Sequence, residues 1–162
     1  MAVPTLAISR SAPATAAGEI LVLGVYKTDD GPRLASDDAA FASLHPALAQ
    51  IGMSGSADEV RRLPGVGDGI PIALVGLGTG PSDADALRFA AGSAARQLTG
   101  IERLAFALPV TSAEEAAAVL EGAAIGAYAY TGYRVGSIGT TKTPADEITV
   151  HLPEDLPADD DA

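Results

Sequence analysis

The sequence predicts an α/β protein with a three-layer α/β/α architecture, in which helices cover both faces of a mixed, mainly parallel sheet. Two near-continuous aliphatic runs, of the kind found in strands buried on both faces, are each followed by a capped, alanine-rich helix. Strand and helix patterns alternate along the chain, which favours parallel pairing through helical crossovers. Its 162 residues are the length of one compact domain.

Five segments have the pattern of strands: 3–9, 19–26, 70–77, 103–108 and 147–152. The three in the middle are apolar runs, whereas the first and the last alternate between apolar and polar residues, as edge or half-exposed strands do. Pro4 fits an edge strand or a strand start because it lacks a backbone N–H. We expect residues 53–69 to form a loop with one short strand at 58–63.

The first well-specified helix is predicted to begin at Ser82, where the sequence Ser-Asp-Ala-Asp resembles a capping box. Because its apolar stripe is mostly alanine, with Gly92 beside it, this helix can lie close to a neighbouring sheet. Gly100 is expected to end it. The stripe recurs at helical spacing and comprises Leu87, Ala90, Ala91, Ala94, Ala95 and Leu98.

The second helix is predicted to begin at Ser112, in the better capping box Ser-Ala-Glu-Glu. Glycines at 122, 126 and 132 each weaken it by about 1 kcal/mol relative to alanine, so they indicate tight packing or an early end. Its apolar face is predicted to consist of Leu120, Ala123, Ala124, Ala127 and Tyr128.

Three further segments are less regular. Residues 37–51 have a helical composition, but Pro46 would kink a single helix, so two short helices are equally compatible. The sequence Asp-Asp-Gly-Pro at 29–32 predicts a hairpin turn. Residues 153–162 are acidic and contain proline, so we expect a linker or tail that does not pack, with the domain itself spanning residues 1–152.

The composition excludes several functional classes. A net charge of -11 and a pI near 4.3 disfavour binding to nucleic acid, because an acidic surface repels the phosphate backbone. The absence of cysteine excludes disulfides, a thiol nucleophile and cysteine-ligated zinc. With no recognisable secretory signal and no apolar run long enough to span a bilayer, we expect a cytoplasmic protein without a membrane partner.

The turn at residues 76–80, Gly-Leu-Gly-Thr-Gly, joins a predicted strand to a predicted helix. Strand-to-helix turns of this kind can bind phosphate through backbone N–H groups at an electropositive helix start. The spacing is GxGxG rather than GxGxxG, and Pro81 removes one N–H donor. The turn is therefore either an anion site or a tight turn without a ligand.

We expect structural roles for the other polar residues that could carry chemistry. The two histidines are isolated, no G-x-S-x-G nucleophile motif is present, and each acidic pair has a place at a helix start, in a turn or in the tail. The tyrosines near residue 130 suit packing or a subunit contact. This set comprises His45, His151, Ser54, Lys142, Asp29/Asp30, Asp37/Asp38, Asp83/Asp85, Glu114/Glu115, Asp159–Asp161, Tyr128, Tyr130 and Tyr133.

Several segments together resemble the N-terminal domain of the leucyl aminopeptidase (cytosol aminopeptidase) family, over about residues 3–152. They are LVGLG at 74–78, LRFAAGSAAR at 87–96, LAFALP at 104–109 and EGAAIGAY at 121–128, followed by Tyr133. The resemblance implies a macro-domain-like fold. It also implies that the complete protein removes N-terminal residues, preferably leucine, from peptides with two divalent metal ions (zinc or manganese), as a hexamer.

In the resembling family the chemistry belongs to a second, C-terminal domain, marked by the sequence Asn-Thr-Asp-Ala-Glu-Gly-Arg-Leu. That motif does not occur here, so we assign no catalytic, cofactor-binding or metal-binding residue to this chain. The expected partners are the chain's own catalytic domain and further copies of the complete enzyme. Two alternatives stay open: a stand-alone module that binds ADP-ribose or a similar anion at Gly76–Gly80, and, less favoured, nucleic-acid binding through Arg61 and Arg62.

Overall fold

A computed structural model of the chain describes residues 3–13, 18–66, 70–128 and 142–156. These residues form two α-helices, α1 (Ala84–Gln97) and α2 (Ala113–Gly126), and a 3-10 helix, Ala39–Leu44. The strands are β1 (Thr5–Ser9), β2 (Glu19–Thr28), β3 (Gly31–Leu34), β4 (Val60–Val66), β5 (Ile70–Gly78), β6 (Arg103–Ala107) and β7 (Glu147–His151).

The strands form one sheet in the order β1-β7-β6-β2-β5-β4. Each neighbouring pair among β1, β7, β6, β2 and β5 is parallel, whereas β4 pairs antiparallel with β5. The last part of β2 also pairs antiparallel with β3, through the predicted hairpin turn at residues 29–32. The predicted mixed, mainly parallel α/β fold is confirmed, and β1 is an edge strand, as Pro4 suggested.

The two faces of the sheet carry different layers. Both α-helices pack on one face, against side chains that include Val22, Val75, Phe106 and Ile148. The opposite face is covered by the 3-10 helix and the turns that follow it, through Phe41, Leu44, Leu48 and Met53. The third predicted helical region is therefore a short 3-10 helix that ends two residues before Pro46, where the proline interrupts a longer helix.

The predicted buried stripe of α1 is confirmed in full, since all six of its residues are buried. The start of the helix differs from the prediction by one residue: Asp83, rather than Ser82, caps α1 by accepting a hydrogen bond from the Ala86 N–H at 2.8 Å. The Ser82 hydroxyl instead lies 3.0 Å from the hydroxyl of Tyr26.

Helix α2 begins as predicted, with Ser112 accepting from the Glu115 N–H, but its buried face agrees only in part with the predicted one. The buried residues are Ala116, Ala118, Val119, Gly122 and Ala123, whereas Tyr128 lies beyond the helix end and is exposed. Of the predicted face, Ala123 and Ala127 are buried and Leu120 packs partly buried against the core. The buried face also includes Gly122, which contacts α1 and which an apolar pattern does not mark.

Helices α1 and α2 touch backbone to backbone. A Cβ atom built on Gly122 would lie 2.0 Å from the carbonyl oxygen of Arg88, and one built on Gly126 would lie 2.2 Å from that of Gly92. On the facing helix, a Cβ on Gly92 would meet the Gly122 oxygen at 3.0 Å. These three glycines therefore explain the short helix separation, in agreement with the predicted tight packing; Gly132 lies outside the described residues.

The chain remains attached to the domain as far as Leu156. The Leu152 N–H donates to the Ser9 carbonyl at 2.9 Å, and the Arg10 guanidinium donates to the Leu156 carbonyl at 2.8 Å. The Leu156 side chain is buried against the cluster under the helices. The first residues of the expected linker thus do pack, because a leucine within this acidic segment reaches the core.

Candidate functional site

The turn at the end of β5 lies directly beneath the loop formed by residues 53–59. Gly78 and Gly80 have φ values of +79° and +88°, a backbone conformation that glycine adopts without strain. A Cβ on Gly76 would lie only 1.8 Å from the carbonyl oxygen of Ser56. Glycine at position 76 is thus required by the close approach of this loop.

Two of the backbone N–H groups in this turn are already engaged. Gly76 donates to the carbonyl of Glu59 at 2.8 Å, and Gly78 donates to the carbonyl of Gly55 at 2.9 Å. The start of α1 is occupied by the carboxylate of Asp83. Of the two interpretations of the Gly76–Gly80 segment, this geometry favours the tight turn, in which the chain itself satisfies the N–H groups.

The Glu59 carboxylate organises the loop from within. It accepts hydrogen bonds from the N–H groups of Ser54 and Gly55, both at 3.0 Å, and from the Ser54 hydroxyl at 2.7 Å. Burial raises the pKa of Glu59, but these bonds and the Arg61 guanidinium at 3.3 Å outweigh it, so the pKa lies below its ordinary value. The loop thus surrounds an anion that belongs to the protein.

Asp58 ties the same loop to α1. It is the one non-glycine residue with positive φ (+67°) among the residues described, and its carboxylate accepts from the hydroxyl of Ser93 and from Arg96 at 2.6 Å. The amide of Gln97 donates to the Asp58 carbonyl at 2.9 Å. Sequence reasoning missed Asp58 and Glu59 because their partners lie in a loop and a helix that only the fold brings together.

An apolar groove of about 510 Å³ lies on the outer side of α1 and α2. Its floor is glycine, and its walls include Phe89, Ile125 and Tyr128, whose exposed fractions are 56%, 68% and 49%. At its rim, Arg88 pairs with Asp85 and with Glu121, so one cation bridges both helices. Only small residues fit between the two helices where they touch. The large side chains therefore stand on either side of this contact, and the space between them is the groove.

The residues considered as catalytic candidates are dispersed. His45 is exposed beside Arg33 and Asp37, whereas the ring of His151 lies 3.1 Å from the Ser11 carbonyl, on the far edge of the sheet. Lys142 is exposed and contacts the region of Gly100 through its aliphatic carbons. No two of these side chains share a site.

Several residues of the acidic pairs, and both arginines of the adjacent pair, have structural partners. Asp38 caps the 3-10 helix, and Glu115 accepts from the N–H and hydroxyl of Thr111. Arg61 pairs with Glu59, and Arg62 donates to the Thr99 carbonyl at 3.0 Å, so neither is a free cation. Tyr130, Tyr133 and Asp159–Asp161 lie outside the described residues.

In residues 3–13, 18–66, 70–128 and 142–156, no three histidine, aspartate or glutamate side chains are close enough together to bind a metal ion. In the same part of the chain, no helix has both the length and the apolar character needed to cross a membrane.

The sequence matches the family described as the cytosol aminopeptidase family, N-terminal domain, over residues 22–137. A probable cytosol aminopeptidase of Leifsonia xyli subsp. xyli is 44% identical over 151 residues, which cover 93% of this chain and 30% of the relative. That of Clavibacter michiganensis subsp. michiganensis is 40% identical, over 100% of this chain and 32% of the relative. The chain thus spans about a third of the length of these relatives.

Two solved structures share the fold. A mutant of the tomato leucine aminopeptidase superposes with a TM-score of 0.69 at 19% identity, over 92% of this chain and 32% of that structure. The bottromycin maturation enzyme BotP in complex with manganese has a TM-score of 0.58 at 26% identity, over 86% of this chain and 27% of BotP.

Proposed function

Because the chain belongs to the cytosol aminopeptidase family as that family's N-terminal domain, we propose that it is the non-catalytic part of a cytoplasmic aminopeptidase. The complete enzyme removes N-terminal amino acids from peptides by two-metal hydrolysis. The observation that carries this proposal is the extent of the match: nearly the whole chain aligns with only about 30% of the Leifsonia relative. The reacting groups and the metal ions belong to the remaining part.

The use of the acidic side chains supports this division of roles. A two-metal site needs several carboxylates that converge on ions about 3.5–4 Å apart. Here the described carboxylates that make contacts bind arginines, helix N-termini or loop N–H groups instead. The described residues therefore do not fit the two ions, although the related BotP is seen with manganese.

The role we propose for this domain is to support the assembly of the enzyme, which the family resemblance suggests is a hexamer. The groove between α1 and α2 is the surface best suited to this role. Phe89, Ile125 and Tyr128 expose apolar area side by side, and such contiguous exposed patches mark interaction sites more often than isolated residues do. We propose that a neighbouring subunit of the same enzyme occupies it.

The catalytic part of the proposal is tested with the purified 162-residue chain and a chromogenic leucyl anilide, with manganese or zinc added. We expect no hydrolysis beyond the rate measured with the metal ion and no protein. A commercial leucine aminopeptidase serves as the positive control. Chelator-sensitive leucine release that co-purifies with the chain would contradict the proposal. Calorimetry with ADP-ribose should give no binding, because Gly76 and Gly78 donate within the chain.

The assembly role is tested in a chimera in which this chain replaces the matched 30% of the Leifsonia relative. We expect Phe89→Asp combined with Ile125→Asp to reduce the assembly to smaller species in light scattering. Ala42→Asp, exposed on the opposite face of the sheet, is the control and should leave it intact. A full-size assembly in the groove variant would remove the groove from the proposal.

A further inference from the structure

In the part of the chain that the structure describes, the outer edge of β1 is unpaired, and two of its side chains are exposed and apolar. β1 ends the strand order of the described sheet, so within the described residues no strand pairs with its other side. Thr5 donates to the Asp146 carbonyl at 2.8 Å and Ser9 accepts from Leu152 at 2.9 Å. Because alternate residues of a parallel strand bond to one neighbour, the N–H and C=O groups of Leu6 and Ile8 point away from β7, towards the open side.

The same two residues expose their side chains. Leu6 is 43% exposed and Ile8 is 54% exposed, although they pair in register with the fully buried Ile148 and Val150. Directly paired residues of neighbouring strands share a face of the sheet, so this apolar pair extends the core surface under the helices out to the edge. Soluble proteins usually protect such edges with charges, prolines or bulges, and strand Thr5–Ser9 contains none of these.

The last described residues lie at the C-terminal end of β1. Arg10, directly after β1, binds the carbonyl of Leu156, and Leu152 binds the last residue of β1. In the relatives, this domain is only about 30% of the protein. A domain that follows Leu156 in these relatives is thus tethered near the end of β1.

We propose that, in the complete protein, an extended segment of the downstream domain pairs with the free edge of β1 and covers Leu6 and Ile8. The proposal rests on the proposed function insofar as a downstream domain is required. A tethered occupant needs little contact area, because its effective concentration is in the millimolar range for short linkers. A second copy of this chain is disfavoured, since a five-residue strand offers little area and both copies carry a net charge of -11.

Amide hydrogen exchange of the five β1 residues tests the proposal, in the isolated chain and in the chimera with the Leifsonia relative. In the isolated chain we expect protected amides at Thr5, Ala7 and Ser9 and fast exchange at Leu6 and Ile8. In the chimera the exchange of Leu6 and Ile8 should slow by about 100-fold or more, as paired strand amides do. The three protected residues are the internal control.

Substitutions provide a second measurement. Leu6→Lys with Ile8→Lys should leave the melting temperature of the isolated chain within about 2 °C, as exposed substitutions do, but should restore fast exchange at β1 in the chimera. Ala7→Lys, exposed on the opposite face of the same strand, should change neither. If the double variant destabilised the isolated chain as much as it destabilised the chimera, Leu6 and Ile8 would have a merely local structural role, and the proposal would be overturned.

Three other outcomes would also overturn it. Unchanged exchange at Leu6 and Ile8 in a folded, active chimera would mean that the edge stays open, while the proposed aminopeptidase function would survive. Slow exchange in the monomeric isolated chain would mean that the domain covers its own edge. Protection that rises with the concentration of the isolated chain, together with a dimer in light scattering, would identify a second copy as the occupant. A folded chimera without peptidase activity would count against the proposed function instead.

Discussion

Replacement of Gly122 by alanine should separate α1 from α2. The new methyl group would lie 2.0 Å from the Arg88 carbonyl oxygen, a backbone atom that cannot rotate away as a side chain would. To reach an ordinary contact, the helices must move apart locally by about 1.4 Å, a displacement that forfeits much of the dispersion energy between them. The buried alanines on both helices would lose contacts at the same time.

The magnitude follows from two opposing effects. Overpacking of a well-packed interface costs about 1–3 kcal/mol, and the rigid backbone partner places Gly122→Ala near the upper end of that range. The higher helix propensity of alanine offsets about 1 kcal/mol of this loss in folding stability. We expect a net loss of about 1–2 kcal/mol in the free energy of unfolding, which lowers the melting temperature by about 2–8 °C for a chain of this size.

Urea unfolding followed by circular dichroism measures this difference, and Ala117→Gly is the matched control. Ala117 is exposed on α2, so its replacement by glycine should cost only the propensity difference of about 1 kcal/mol. If the contact with Arg88 did not limit the helix separation, Gly122→Ala would instead stabilise the protein by about that amount. An unfolding midpoint at or above that of the native chain would refute the reasoning.

Three further predictions concern the loop and the helix start. Glu59→Gln should cost about 1–3 kcal/mol at neutral pH, because the loop N–H groups lose a charged acceptor. Since folding lowers the pKa of Glu59, this contribution is complete above the ordinary value of 4.5 and is lost as the pH falls from there through the lower pKa of the folded state, so the urea midpoints of the variant and the native chain should converge in acid. Gly76→Ala should prevent stable folding, as measured by solubility and thermal melting. Gly80→Ala is the control: there is open space around Gly80, so the variant should lose only about 1 kcal/mol of stability because of the positive φ. Similar losses of stability in the two variants would contradict the steric argument. Asp83→Ala should lower stability by about 1 kcal/mol as a lost helix cap, more than Ser82→Ala does, and the reverse order would reassign the cap.

The fold was predictable for the elements whose hydrophobic pattern is compatible with only one type of secondary structure. The alanine stripe of α1 and the apolar runs of β2, β5 and β6 carry the periodicity that burial demands, and the structure buries them as expected. The face of α2 was predicted less well, because its orientation depends on Gly122 meeting Arg88, a contact between residues far apart in sequence. Hydrophobic periodicity does not report which side of a helix approaches another backbone.

For the candidate site, the sequence predicted the position of the strand-to-helix turn but not the contacts around it. The sequence marked Gly76–Gly80 as either an anion site or a tight turn, but it gave no sign that the loop at residues 53–59 lies against it. The loop over the turn is held by Glu59 and Asp58, and neither residue differs locally from an ordinary surface acid. Their roles arise from hydrogen bonds to residues that only the tertiary structure brings near.

The pairing of the first strand with the last has a consequence for biosynthesis. Thr5 lies opposite Glu147, so β1 has no partner in the sheet until almost the entire domain has left the ribosome. At about 5–20 residues per second, the newly made strand waits roughly 7–30 s for β7. During translation, an apolar strand at the N-terminus is therefore exposed to chaperones and to neighbouring nascent chains.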